Sequence, residues 1–362
     1  MPRLASLAQG RDNNFQLIRL LSASAVVLFH SYALTNHWTD EPLWKRVPEL
    51  NFGALGVACF FVISGFLVTQ SWLARRRVQS FVAARVLRIY PALLAAVVLT
   101  VVLAGASSAL GWRAFLGHPQ TLDYVMHVAP AWEMRHQLPG AFAGNPVPLD
   151  VNGSLWTLPI ELRLYVAVLA AGVAGLLAQR SALTLSVCAL FAIFLWNPAW
   201  LAALGIDGVT RDLAVLFVLG SLACAWRDAI PVSLAAAAGA VVLLVVNPAG
   251  MARGAFFAPL LAYLVLVAAY HPRLQWRAFN GAGDYSYGVY VYSFPTQQAL
   301  IAFIPGVEPM PLFGMAMAAT LALSALSWHV LESPALRLKS RFGFGTHGNR
   351  ENRLDKHREP IP

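Results

Sequence analysis

Charge is what this chain has least of. Only 12% of its 362 residues are charged, about half of the ~25% usual in a soluble domain, while 58% are hydrophobic. Too few polar groups remain to cover a water-soluble surface of this size, which excludes a soluble globular enzyme and a disordered protein. Cysteine is scarce too. Cys59, Cys188 and Cys224 are an odd number, each lies in an apolar run, and none has metal-ligand spacing. A secreted disulfide scaffold and a cysteine-based metal centre are therefore excluded. Acids are outnumbered, 17 against 26 Lys and Arg, for a formal net charge of +9. In a soluble protein that excess would point to nucleic acid; here the position of the basic residues matters more.

What the chain has in quantity is long apolar runs. A helix needs about 20 largely apolar residues to cross the hydrocarbon core, and ten stretches reach or approach that length: 16–35, 52–73, 90–106, 154–178, 182–197, 210–227, 230–247, 254–270, 284–304 and 310–332. With the N-terminus in the cytoplasm, 18 of the 26 basic residues fall inside or at the inner margins, 6 fall outside, and Arg19 and Arg163 fall within spans. That bias predicts an all-α polytopic membrane protein of about ten transmembrane helices with both termini cytoplasmic. The expected place is the bacterial cytoplasmic (inner) membrane. Residues 1–340 read as one membrane domain, and 341–362 as a basic, disordered cytoplasmic tail beside anionic membrane lipid, with no nucleic-acid partner. The first span is no cleavable signal peptide, because it holds a charge and lacks a clean small-residue cleavage site. The one long non-spanning stretch, 107–153, falls outside. Its apolar piece LDYVMHVAPAW is too short to cross and reads equally as a re-entrant or interfacial helix or as a spacer.

Ionisable groups inside apolar spans carry the functional reading, because each costs about 2.5–3.5 kcal/mol on insertion scales unless it faces a cavity or a partner. In FQLIRLLSASAVVLFHSY, Arg19 and His30 are eleven residues apart. At about 100° per residue they share one helix face, roughly 16 Å apart along the axis. Imidazole titrates near neutrality and suits a general base; a snorkelling arginine and a satisfied interior histidine are the structural alternative. FFVISGFL places Ser64 and Gly65 in mid-membrane, for packing or ligand contact. In RVLRIYP, Arg85 and Arg88 share a face of an otherwise apolar segment, with Tyr90-Pro91 expected at the start of the third span. Their guanidinium forks suit phosphate. NGSLWTLPIELRLY brings Trp156, Glu161, Arg163 and Tyr165, and Glu161 is expected at the depth of His30, where its carboxylate would orient the imidazole. A structural pair of Glu161 with Arg163 or Arg19 is the alternative. GDYSYGVYVYSFPTQQ offers Tyr287 and Tyr290 for sugar hydroxyls, or an interfacial aromatic belt. In SWHVLESPALRLK, Glu332 beside the cytosol reads as structural.

Taken in order, R-x10-H (Arg19, His30), FFVISGFL, RVLRIYP, SLWTLPIELRLY, SYGVYVYSFPTQQ and SWHVLESPALR resemble the acyltransferase-3 family of integral-membrane O-acyltransferases, over roughly residues 12–340. The resemblance implies transfer of an acyl group, usually acetyl, from cytoplasmic acyl-CoA to a hydroxyl of an extracytoplasmic surface polysaccharide, O-antigen unit or lipid-linked sugar. It makes Arg19 and His30 the matched essential pair and puts Arg85 and Arg88 at the CoA end. It assigns Glu161 to the acidic position of the fourth-span motif. Many members have a histidine two residues before the proline of the SYxxY block; this chain has Ser293. No fused extracytoplasmic hydrolase-like domain is in view, so the membrane domain or a separate polysaccharide-assembly protein must supply the rest.

The expectation is thus a cavity running from Arg19, Arg85, Arg88 and Ser64, which bind the donor, to His30 and Glu161, which act on the acceptor. Trp156, Tyr165, Tyr287 and Tyr290 would contact the sugar. Acetyl-CoA is expected as co-substrate, with no metal and no permanently bound cofactor. Direct transfer and an acyl-histidine intermediate remain open, as do a transporter and a non-catalytic scaffold of a polysaccharide assembly complex.

Overall fold

The computed structural model describes residues 1–8, 12–47, 50–196, 207–246, 256–276, 279, 281 and 283–342. Ten helices of at least 13 residues run through them: α1 (Phe15–Leu34), α2 (Phe52–Arg75), α3 (Val78–Ser107), α4 (Leu158–Val173), α5 (Arg180–Trp196), α6 (Gly208–Ala225), α7 (Leu234–Val246), α8 (Phe257–Tyr270), α9 (Ser286–Phe303) and α10 (Pro309–Ser327). Each falls on one of the ten apolar stretches, and the described residues form no β-strand beyond two isolated bridges. Six helical stretches are long and apolar enough to span a membrane, those of α1, α2, α3, α4, α6 and α10, while α5, α7 and α8 are shorter apolar helices. This is a polytopic membrane protein. Most of the expected tail, from residue 343 on, lies outside the described residues.

Helix α9 owes its lower apolarity to its position. It packs against α1, α3 and α10 and is buried on nearly all sides, including Ser293, Thr296, Gln297 and Gln298. Polar groups on such a helix meet protein, not lipid tails, and find partners there. Gln297 donates to Val27 O (2.9 Å) and Ser31 Oγ (2.7 Å) of α1. Gln298 donates to Val147 O and Asp150 O of the outer segment. Pro295 lies inside α9 and lacks the N–H that would bond the carbonyl of Val291; Asn152 Nδ2 donates to that carbonyl instead, at 3.0 Å.

Two boundaries differ from the sequence reading. Helix α3 begins at Val78, twelve residues before the expected start of the third span, so Arg85, Arg88 and Pro91 all lie within one continuous helix. The hydroxyls of Tyr287 and Tyr292 donate to Ile89 O (3.1 Å) and Ala92 O (3.3 Å), supporting the backbone on either side of that proline. At the other boundary, α10 continues through a π-helical turn, Trp328–Glu332, which brings Glu332 fully inside. The long stretch between α3 and α4 folds back along α3. Its helix Pro119–Val128 packs on α3, and Tyr90 OH donates to Pro130 O at 2.8 Å. Tyr90 is 17 residues before the end of α3, about 25 Å along the axis.

Candidate active site

A cavity of about 390 Å³ opens among α1, α2, α3, α4 and α9 and the segment after α10. Of the ten residues singled out in the sequence, eight line it: Arg19, Ser64, Arg85, Arg88, Glu161, Tyr165, Tyr287 and Tyr290. Trp156 does not. It lies in the 3-10 turn Gly153–Thr157, 38% exposed and outside the lining, so the structure does not bring it to the other candidates. His30 is also absent from the lining, and its relation to the cavity has to be traced through neighbours.

At the end formed by the start of α1, the first half of α3 and the segment before α9, four charged side chains form a network. Arg19 Nη2 and Arg88 Nη2 each lie 2.7 Å from Asp284 Oδ2. Arg88 Nη1 lies 3.4 Å from Glu332 Oε2, and both carboxylates are buried. Ser286 Oγ donates to Asp284 Oδ1 and Ser327 Oγ to Glu332 Oε1, completing their bonding. Gly283 makes the turn possible: its φ is +102°, and a Cβ there would meet the Trp328 indole at 2.5 Å. The sequence reading quoted GDYSYGVY for its tyrosines and passed over Asp284; the acid heading a buried aromatic helix was the available signal. Two arginines facing two carboxylates leave this cluster without net charge.

Arg85 differs. Its guanidinium stacks over Phe81 (4.6 Å to the ring centre) and Tyr165 (5.6 Å) and belongs to no ion pair among the described residues. Its Nε is buried without a hydrogen-bond partner. Lys339 lines the same cavity, brought there by the turn Leu338–Phe342. Arg85 and Lys339 are thus the cavity cations in no direct ion pair among the described residues, with Glu161 the carboxylate whose field reaches Arg85, and only the first was a sequence candidate.

The expected pairing of Glu161 with His30 is corrected. Ser64 Oγ donates to Glu161 Oε1 at 2.7 Å, and Tyr165 OH donates to the same oxygen. The neighbour of His30 Nδ1 is Ser154 Oγ, at 3.4 Å. Ser154 lies seven residues before Glu161, about 10–12 Å away along the turn Gly153–Thr157 and the start of α4, so the residue that meets His30 and the one that meets Ser64 are well separated along the chain axis. Arg19 and His30 do share one face of α1: Arg19 meets the segment leading into α9, and the His30 ring packs edge-on to Phe294 of α9, centres 5.1 Å apart.

A chain of hydrogen bonds links the cavity lining to His30 through Ser154. Tyr290 and Thr157, both in the lining, are joined through their hydroxyls at 2.7 Å, and Tyr290 OH donates to Ser154 O at 2.6 Å. Phe60 packs edge-on to Tyr290. Ser293 is fully buried and donates to Tyr290 O within its own helix, so it contributes no second base. Gly65, beside Ser64, serves packing: a Cβ there would run into the Phe217 backbone of α6, so α2 and α6 meet backbone to backbone.

The sequence profile of the family described as an acyltransferase domain matches residues 12–329. The chain belongs to the acyltransferase-3 family. It is 30% identical to nodulation protein 10 of Rhizobium leguminosarum bv. viciae over 92% of this chain and 95% of that protein. It is 28% identical to an O-acetyl transferase of Shigella phage Sf6, over 91% and 98% of the two chains. No solved structure matches it. As a member of the acyltransferase-3 family with these spans, it is a membrane O-acyltransferase. The family match covers every lining residue of the cavity except Leu336 and Lys339.

Proposed function

We propose that this acyltransferase-3 member moves an acetyl group from cytoplasmic acetyl-CoA to a hydroxyl of an extracytoplasmic surface polysaccharide or lipid-linked sugar, with His30 as general base. The single observation that carries the reading is the cavity itself: Arg85 and Lys339, cations in no ion pair among the described residues, line it, and its lining residue Tyr290 bonds to Ser154, the residue that meets His30. An anionic donor fits the cationic end, because a guanidinium and an ammonium held in no ion pair favour phosphate oxygens. Arg19 and Arg88 support that end through Asp284 rather than by standing free. The pantetheine arm then lies among Ser64, Tyr165 and Tyr287, and the thioester carbonyl meets the sugar hydroxyl beside His30. The imidazole takes the hydroxyl proton as the C–O bond forms, and the departing CoA thiolate receives it as the C–S bond breaks. Phe60, which only packs against Tyr290, moves aside to admit the thioester while the Tyr290 bond to Ser154 O stays in place.

The basic inner margins support a cytoplasmic N-terminus and a place in a bacterial inner membrane, with the donor end of the cavity at the cytoplasmic face. The relative described as an O-acetyl transferase supports acetyl as the group moved. Membranes bearing the full chain, given acetyl-CoA labelled in the acetyl group and the glycan of the source cells, test the reading. Label passing to glycan, with release of free CoA, is the expected result. Label that stays with CoA in the presence of competent acceptor overturns it.

A further inference from the structure

We propose that Ser154 is the positioning residue of His30, taking the place that a carboxylate holds in Ser-His-Asp sites. The inference rests on the reading of His30 as the base. A base of this kind needs one ring nitrogen held as N–H so that the other presents its lone pair. No ion pair among the described residues involves His30, and Glu161, the acid nearest to it in the sequence motif, is engaged by Ser64 and Tyr165. The hydroxyl at Nδ1 belongs to Ser154, which is 1% exposed.

Three contacts fix the backbone that carries that hydroxyl. Asn152 is anchored to the proline-freed carbonyl of Val291. Gly153 lies flat on Phe294, where a Cβ would come within 2.7 Å of the ring. Ser154 O receives the Tyr290 hydroxyl. The imidazole is held from its own side as well. Phe294 sets the plane of its ring edge-on, and Gln297 braces the turn of α1 that carries it, through Val27 O and Ser31 Oγ. In this arrangement Nδ1–H donates to Ser154 Oγ, and Nε2 accepts the proton of the sugar hydroxyl. A neutral partner orients the ring without placing a second charge in a region that solvates charge poorly.

The test uses the full chain in lipid nanodiscs, as wild type, Ser154→Ala and Ser154→Cys. The thiol is larger than the hydroxyl but a weak hydrogen-bond partner, whereas alanine leaves a gap, so the two variants together separate bonding from packing. With acetyl-CoA and acceptor, both variants are expected to lose roughly tenfold or more in kcat while KM for acetyl-CoA stays within about twofold, because positioning acts on the proton-transfer step. Nitrogen NMR of ¹⁵N-histidine-labelled protein, with the His30 signal identified by its loss in His30→Gln, is expected to show Nδ1–H in the wild type and a mixture of tautomers in Ser154→Ala. Wild-type kcat in Ser154→Cys overturns the proposal. So does a wild-type His30 protonated on Nε2, a reading that needs no variant to fold. If the wild type transfers no acetyl group, the functional reading fails, while the tautomer still decides the role of Ser154.

Discussion

Two arginines three residues apart on α3 do different work. Arg88 shares Asp284 with Arg19 and reaches Glu332, whereas Arg85 stacks on Phe81 and Tyr165 in no direct ion pair among the described residues. Arg85→Gln is therefore expected to raise KM for acetyl-CoA by about tenfold, the loss of one charge-assisted contact of roughly 1.5 kcal/mol, with little change in thermal stability. Asp284→Asn removes the shared carboxylate and leaves two guanidinia facing each other inside the protein. Breaking a buried pair in this way costs about 3–5 kcal/mol, so a markedly lower unfolding temperature in detergent is expected, with activity lost alongside. A variant with wild-type stability would contradict the buried network. RVLRIYP makes both arginines visible as candidates, but not their division of labour, because the partners come from residues 284 and 332, far away in sequence.

At the scale of elements, the ten helices were legible in the apolar runs, since length and composition alone decide which segments can leave water. Depth along a helix was legible too, from the rise per residue. The neighbour that a side chain faces was not. Glu161 meets Ser64 of α2 and Tyr165 of its own helix, partners that depend on how α2 and α4 pack and that no letter in SLWTLPIE announces. Likewise α3 runs through Pro91, because tyrosines of α9 support its backbone there. Asn152 gives a test at this scale. Asn152→Ala strands the Val291 carbonyl that Pro295 has already deprived of its N–H. A loss of about 1–3 kcal/mol in stability is expected by thermal unfolding, more than for the half-exposed Gln275→Ala. Gly65→Leu should be worse still, since α2 and α6 touch there backbone to backbone; loss of folded protein on size-exclusion chromatography is the expected reading.

Among the described residues, one polar helix, α9, is packed between the apolar helices α1, α3 and α10. Six stretches meet the demands of a bilayer by themselves, while α9 stands inside and carries the tyrosines and glutamines that the cavity and the outer segment require. This division explains why eight of ten candidate residues converge on one cavity although they come from α1, α2, α3, α4 and α9. Ionisable and hydroxyl groups in apolar spans are costly toward lipid, so they turn inward together. It also explains the miss at Trp156, whose apolar ring has no such reason to face inside. His30 stands at the junction between this inner polar path and the outer segment, bonded to Ser154 and braced by α9.

The most direct measurement compares surface glycans from cells lacking the gene and complemented with either the wild-type chain or His30→Ala, with equal protein in the membrane. Proton NMR is expected to show O-acetyl signals with the wild type and none with His30→Ala. O-acetyl signals of equal strength in both would remove His30 from the chemistry and contradict the mechanism.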